Sequence, residues 1–131
     1  MGEKAEDIDE IIKTIGRKYG AFCAYKIIKQ VGDSEVLQIA FIMRDDNEKP
    51  DFHKIFSELS EKLKSVNIDL VILNTAPLAI AYIILKKGEE VYCDDRALLK
   101  RFAAKVVEKY LDFRNEVRGH TEISLKKTKL S

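Results

Sequence analysis

The stretch Asp69-Leu70-Val71-Ile72-Leu73-Asn74-Thr75-Ala76-Pro77-Leu78 decides the fold. Ile68 to Leu73 is a short apolar run rich in β-branched residues, the pattern of a buried strand. Asn74-Thr75-Ala76-Pro77 carries loop chemistry, and Leu78 to Lys87 reads as a short apolar helix that stops at Gly88. Just upstream, Phe52, Ile55, Phe56, Leu59, Leu63 and Val66 follow helical spacing, with Pro50 suited to the helix start. Just downstream, Glu90 to Cys93 reads as a short strand. Asp94 or Asp95 can then cap a long final helix. Its expected core stripe is Leu99, Phe102, Ala103, Val106, Tyr110 and Phe113, and Gly119 is its expected end.

Towards the N-terminus, Ile8, Ile11, Ile12, Ile15 and Tyr19 mark an amphipathic helix, and Gly20 supplies a stop. Ala21 to Val31 is a strand by its aromatic and β-branched content. Gly32-Asp33-Ser34 is turn chemistry, and Val36 to Met43 is a second strand, apolar enough to be buried on both faces. The two strands are expected to pair as antiparallel neighbours. Arg44 to Pro50 is a charged loop. The order α-β-β-α-β-α-β-α gives an α+β (α/β) domain with a small mixed sheet flanked by helices. The expected domain spans residues 1–119, and the polar, basic segment 120–131 is expected to be a flexible tail.

The 131 residues suit one domain with a core of its own. A 46% hydrophobic and 34% charged composition is that of a globular chain. The formal net charge of +1 gives no global basic field, so nucleic acid is not the expected partner. Met1 to Glu10 is acidic and polar, unlike a signal peptide, and no apolar run nears the roughly 18 residues of a membrane span. No membrane contact is expected, and the expected location is cytoplasmic.

No GxxxxGK[ST] loop, GxGxxG or GxSxG motif occurs. Cys23 and Cys93 lie in apolar strand-like stretches without CxxC or Cys/His spacing, so both read as reduced core residues and no metal site is expected. His53, near a helix start, reads as a surface residue. Arg114 and His120 are spaced as Arg-x5-His, similar to the Arg-x4-6-His of HEPN ribonucleases, but those domains are all-helical and this chain has three clear strands.

Asp69 to Leu78, followed by Ala81-Tyr82, Gly88, Val91-Tyr92 and Tyr110-Leu111-Asp112-Phe113, resembles the minimal nucleotidyltransferase (MNT) family, whose members show a strand reading roughly DLVxLNxAP. The match spans about residues 67–114. The resemblance implies a fold like the nucleotidyltransferase core of DNA polymerase β. It also implies a role found in many members, that of antitoxin to a HEPN toxin, sometimes by adding AMP to the toxin.

Family chemistry requires a Gly-Ser pair after the first strand to hold phosphates. It also requires Asp-x-Asp on the second strand and a third carboxylate on the next, to hold two magnesium ions. Carboxylate oxygens suit Mg²⁺, and two ions clamp the attacking and leaving oxygens. Aligned without a gap, the Gly-Ser positions fall on Ala24 and Tyr25, and the Asp-x-Asp positions on Val36 and Gln38. Asp69 alone matches a metal ligand, either as a vestige of that site or as a strand-start residue with local hydrogen bonds. Asp33-Ser34-Glu35 keeps x between two acids but lies in the turn.

Three readings follow. The first is a catalytically inactive pseudoenzyme, needing no cofactor, that binds a helical HEPN-like protein as an MNT-type antitoxin or partner. The second is an active Mg-dependent nucleotidyltransferase, transferring AMP from ATP through a displaced site. The third is a stand-alone binding module, for instance a homodimer.

Overall fold

The computed structural model describes the backbone of residues 5–45 and 50–130, and the side chains of residues 7–45 and 50–115. The elements run α1 (Ala5–Lys18), β1 (Ala21–Val31), β2 (Ser34–Met43), α2 (Phe52–Lys62), β3 (Ile68–Ile72), α3 (Leu78–Lys87), β4 (Glu89–Cys93) and α4 (Arg96–Leu130). This is the order read from the sequence.

The strands form one mixed sheet in the order β3-β2-β1-β4. β1 pairs antiparallel with both β2 and β4, whereas β2 and β3 are parallel. Gly20 (φ 91°) turns the chain from α1 into β1. Gly32 (φ 63°) leads the two-residue turn between β1 and β2, where a type II′ turn needs positive φ at its first central residue.

Period-two alternation divides the sheet's side chains between two cores. Leu37, Ile39, Phe41 and Met43 of β2 meet Ile12 and Ile15 of α1 and Ile55 and Leu59 of α2. Ala40 and Ile42 face the other way, towards Ala81 and Ile84 of α3 and Leu99 and Val106 of α4. β2 is therefore buried on both faces over residues 37–43, as its apolar run predicts. Gly16 of α1 lets that helix seat on the sheet. A Cβ there would lie 2.8 Å from the Phe41 ring and would overlap the Tyr92 hydroxyl.

The structure corrects three local expectations. Pro50 does not open α2. Asp51 is the N-cap, its carboxylate accepting from the Lys54 amide at 3.1 Å. α4 is capped by Asp95, which accepts from the Leu98 amide at 3.0 Å, and it does not stop at Gly119 but runs to Leu130. One glycine costs a helix only ~1 kcal/mol relative to alanine, too little to end it alone. The α4 stripe also fades. Leu99 and Val106 are buried, but Phe113 is 52% exposed. The side chains of the basic segment after residue 119, His120 included, lie outside the described residues, and so does the loop 46–49.

Four carboxylates on the surface are held below their ordinary range: Glu58 by Lys18, Glu90 by Arg96, Asp94 by Arg17, and Asp95 by the Leu98 amide and then Arg44. A lowered folded pKa contributes stability above the unfolded value, about 4, and loses it as pH falls through the folded value. The melting temperature is therefore expected to hold from pH 7 to about 5 and to drop below pH 4. Thermal melts against pH should show a smaller acid drop in a Glu90→Gln/Asp94→Asn variant.

Candidate functional site

At the hairpin end of the sheet, on the face shared with α3 and α4, β1, β2 and β3 bring three polar side chains together. Gln38 stands opposite Asp69 in the parallel β2/β3 register. Its amide donates to the Asp69 carboxylate at 3.1 Å. Lys29, diagonal to Gln38 across the β1/β2 ladder, places its ammonium 3.1 Å from the same oxygen of Asp69. Val36 is directly opposite Lys29 and brings only an apolar side chain. The MNT resemblance, aligned without a gap, implies carboxylates at the positions of Val36 and Gln38. Here the one carboxylate is met by a cation and an amide donor.

The positions expected for phosphate binding are residues of β1. Ala24 and Tyr25 lie inside the β1/β2 ladder, opposite Phe41 and Ala40. Ala24 is fully buried against the α1/α2 face and Tyr25 against the α3/α4 face. Burial pushes the Tyr25 phenol up to about 12. β1 runs straight into its turn with β2, so no helix N-terminus follows it to receive a phosphate. Glu35, beside the turn, does not substitute. Glu35 has the parity of Leu37 and lines a cleft with Ile8 and Leu37 on the α1 side, away from Asp69.

The sequence singled out Ala24, Tyr25, Val36, Gln38 and Asp69. The fold joins Gln38 with Asp69, sets Val36 beside them, and leaves Ala24 and Tyr25 in the core. No sequence motif marks Lys29. A two-residue turn at Gly32-Asp33 pairs it with Val36, so the hairpin register was the signal that could have found it. The Lys29–Asp69 pair is 43% exposed on both sides, where such a pair contributes ~0–1 kcal/mol. Asp69→Asn is therefore expected to change the melting temperature by no more than a few degrees, measured by calorimetry or circular dichroism.

The motif residues of the second half build structure. Asn74 accepts from the Met43 amide at 2.7 Å and donates to the Met43 carbonyl at 3.1 Å, extending the β2/β3 pairing with a side chain. Asn74→Ala leaves both Met43 groups without these partners and is expected to cost about 2 kcal/mol in urea unfolding. Tyr82 of α3 stacks on Tyr110 of α4 with ring centroids 4.1 Å apart. Gly88 ends α3 where a Cβ would lie 2.5 Å from the Ile84 carbonyl oxygen. The buried Tyr92 hydroxyl donates to the Ala21 carbonyl at 2.6 Å.

Two other features stand out. Cys23, Glu90 and Cys93 converge on the α3/α4 face, with Cys23 fully buried and Cys93 half-buried. Ile80 and Ile83 on α3, with Val107, Leu111 and Phe113 on α4, are exposed apolar side chains. His53 is exposed, as expected. No helix among the described residues is long and apolar enough to cross a membrane.

The architecture is that of a nucleotidyltransferase-like domain, and solved structures match it over nearly their full length. A chain of the MntA–HepT toxin–antitoxin structure superposes with a TM-score of 0.70 at 17% identity, covering 90% of this chain and 97% of that one. A chain of a toxin–antitoxin structure with AMP-PNP gives 0.70 at 16% identity, over 89% and 98%. A chain from the tri-AMPylated Shewanella oneidensis HEPN toxin in complex with MNT antitoxin gives 0.69 at 16%, over 90% and 96%. No family model and no curated protein matches the chain. The protein thus has an MNT-type nucleotidyltransferase-like fold.

Proposed function

We propose that this protein is a catalytically silent MNT-type protein that acts by binding a helical, HEPN-like partner, as an antitoxin or assembly partner. The observation that carries the reading is the Lys29–Asp69–Gln38 cluster. One carboxylate engaged by an ammonium and an amide cannot hold two magnesium ions in place of the substrate's phosphates. The buried, strand-paired Ala24 and Tyr25 support it from the phosphate side. The structures of like fold come from toxin–antitoxin complexes, one of them a HEPN toxin with its MNT antitoxin, which supports the partner class. The reading assigns the protein to the cytoplasm, where such a partner would be made.

Exposed apolar residues on α3 and α4 supply a surface for that partner. The direct test is co-expression with the product of a neighbouring gene that encodes a helical protein with Arg-x4-6-His. The two chains should co-elute at micromolar concentration, with or without Mg·ATP; separate elution contradicts the reading. An Ile83→Glu/Leu111→Glu variant should keep its melting temperature and bind at least about 10-fold more weakly, since losing an anchoring side chain costs ~2 kcal/mol or more.

A further inference from the structure

We infer that Cys23, Cys93 and Glu90 form a binding site for one thiophilic divalent cation of the zinc type. The three side chains offer two sulfurs and a carboxylate oxygen, all within 4.8 Å of one another. An ion central to such a triangle lies at most about 2.8 Å from each atom (4.8 Å divided by √3), against about 2.3 Å for Zn–S and 2.0–2.2 Å for Zn–O. Small side-chain rotations close that gap. Two thiolates with a carboxylate select zinc or a similar ion over magnesium, which prefers an all-oxygen octahedron.

The backbone aims these residues. Cys23 and Cys93 are direct partners across β1 and β4. The Asp94 amide donates to the Phe22 carbonyl at 2.7 Å, so the cysteines form the adjacent non-hydrogen-bonded pair, whose side chains come closest. Glu90 reaches them through an irregularity. By simple alternation it would share the face of Tyr92, on the α1 side. The β1/β4 register shifts between Ala24 and Tyr25, pairing them with Tyr92 and Glu90 and leaving Val91 as an extra residue. This bulge turns Glu90 onto the cysteine face, a known use of bulges beside functional sites.

The surroundings balance the charge. Arg96 donates to both oxygens of Glu90, at 2.6 and 2.9 Å, and each oxygen keeps a lone pair for a metal. Two thiolates and a carboxylate sum to −3; a divalent ion and the Arg96 guanidinium bring the total to zero. Coordination releases one proton from each thiol, so affinity rises with pH. A water would supply the fourth ligand of a tetrahedral ion held by these three residues. The bound ion would pin β4 and the start of α4 to β1, whatever partner the protein has.

The test is titration of the reduced full-length chain with Co²⁺. The expected result is saturation at one equivalent, with a thiolate-to-cobalt charge-transfer band and tetrahedral visible bands. Zinc should displace the cobalt and raise the melting temperature. Cys93→Ser should lose the charge-transfer band. Glu90→Gln, a change at an exposed position, should keep the band with affinity weakened at least about 10-fold. The inference is overturned if no charge-transfer band appears, or if Cys93→Ser binds cobalt as the native chain does. It is also overturned if the two cysteines are recovered as a disulfide and the reduced chain then takes up no metal.

Discussion

Phe41→Ala is expected to lower the unfolding free energy by about 3–5 kcal/mol, the largest effect of any single substitution considered. Phe41 is fully buried near the C-terminal end of β2. It pairs with Ala24 on one side and Ile72 on the other, and its carbonyl accepts from the Leu73 amide at 2.9 Å. Truncation removes the ring from the core between the sheet and α1 and leaves a cavity that two flanking strands hold open. For a domain of this size the loss corresponds to roughly 10–20 °C in melting temperature. Urea unfolding should show a lower midpoint with an unchanged slope.

The second large effect comes from the opposite change in the same place. Gly16→Val is expected to destabilise by about 3 kcal/mol, although valine is a better helix residue than glycine. The new Cβ would lie 2.8 Å from Phe41 and would overlap the Tyr92 hydroxyl. Both neighbours are rigid aromatics, and Tyr92 is fixed by its hydrogen bond to the Ala21 carbonyl. Relief requires α1 to lift from the sheet or the buried hydroxyl to lose its acceptor, and either exceeds the helix-propensity gain of well under 1 kcal/mol. Thermal melts of Gly16→Ala and Gly16→Val should both fall below the native chain, with valine the lower.

These two positions show what was legible in the sequence. Phe41 lies in an apolar run that marked its strand as buried on both faces, because alternation over seven residues, Leu37 to Met43, leaves no solvent side. Element order was legible for the same reason: each helix and strand carries its own period and its own stop. Gly16 was not legible. Its constraint comes from Tyr92, on a strand far along the chain. The extent of α4 was missed because a glycine is a weak helix stop when nothing else opposes the helix.

The site divides in the same way. Gln38 and Asp69 were placed side by side by alignment to a resembling family, and the parallel register puts them opposite one another. Lys29 was overlooked because it answers to no motif; only the hairpin register carries it to Asp69. Cys23, Cys93 and Glu90 were unreadable for a stronger reason. The cysteines meet across strands distant in sequence, and Glu90 joins them only through a bulge that breaks the alternation on which strand reading depends. The resemblance itself rests on residues that build the fold. Asn74, Tyr82, Gly88, Tyr92 and Tyr110 hold strand ends and helices in place.

The most direct measurement on the central claim is label transfer from Mg·ATP, with label in the α-phosphate, to the co-purified helical partner. The expected result is a stable complex with no label on either chain and no saturable heat of ATP binding to this protein. Mg-dependent label on the partner that disappears in Asp69→Asn would contradict it, because it would make Asp69 a working metal ligand.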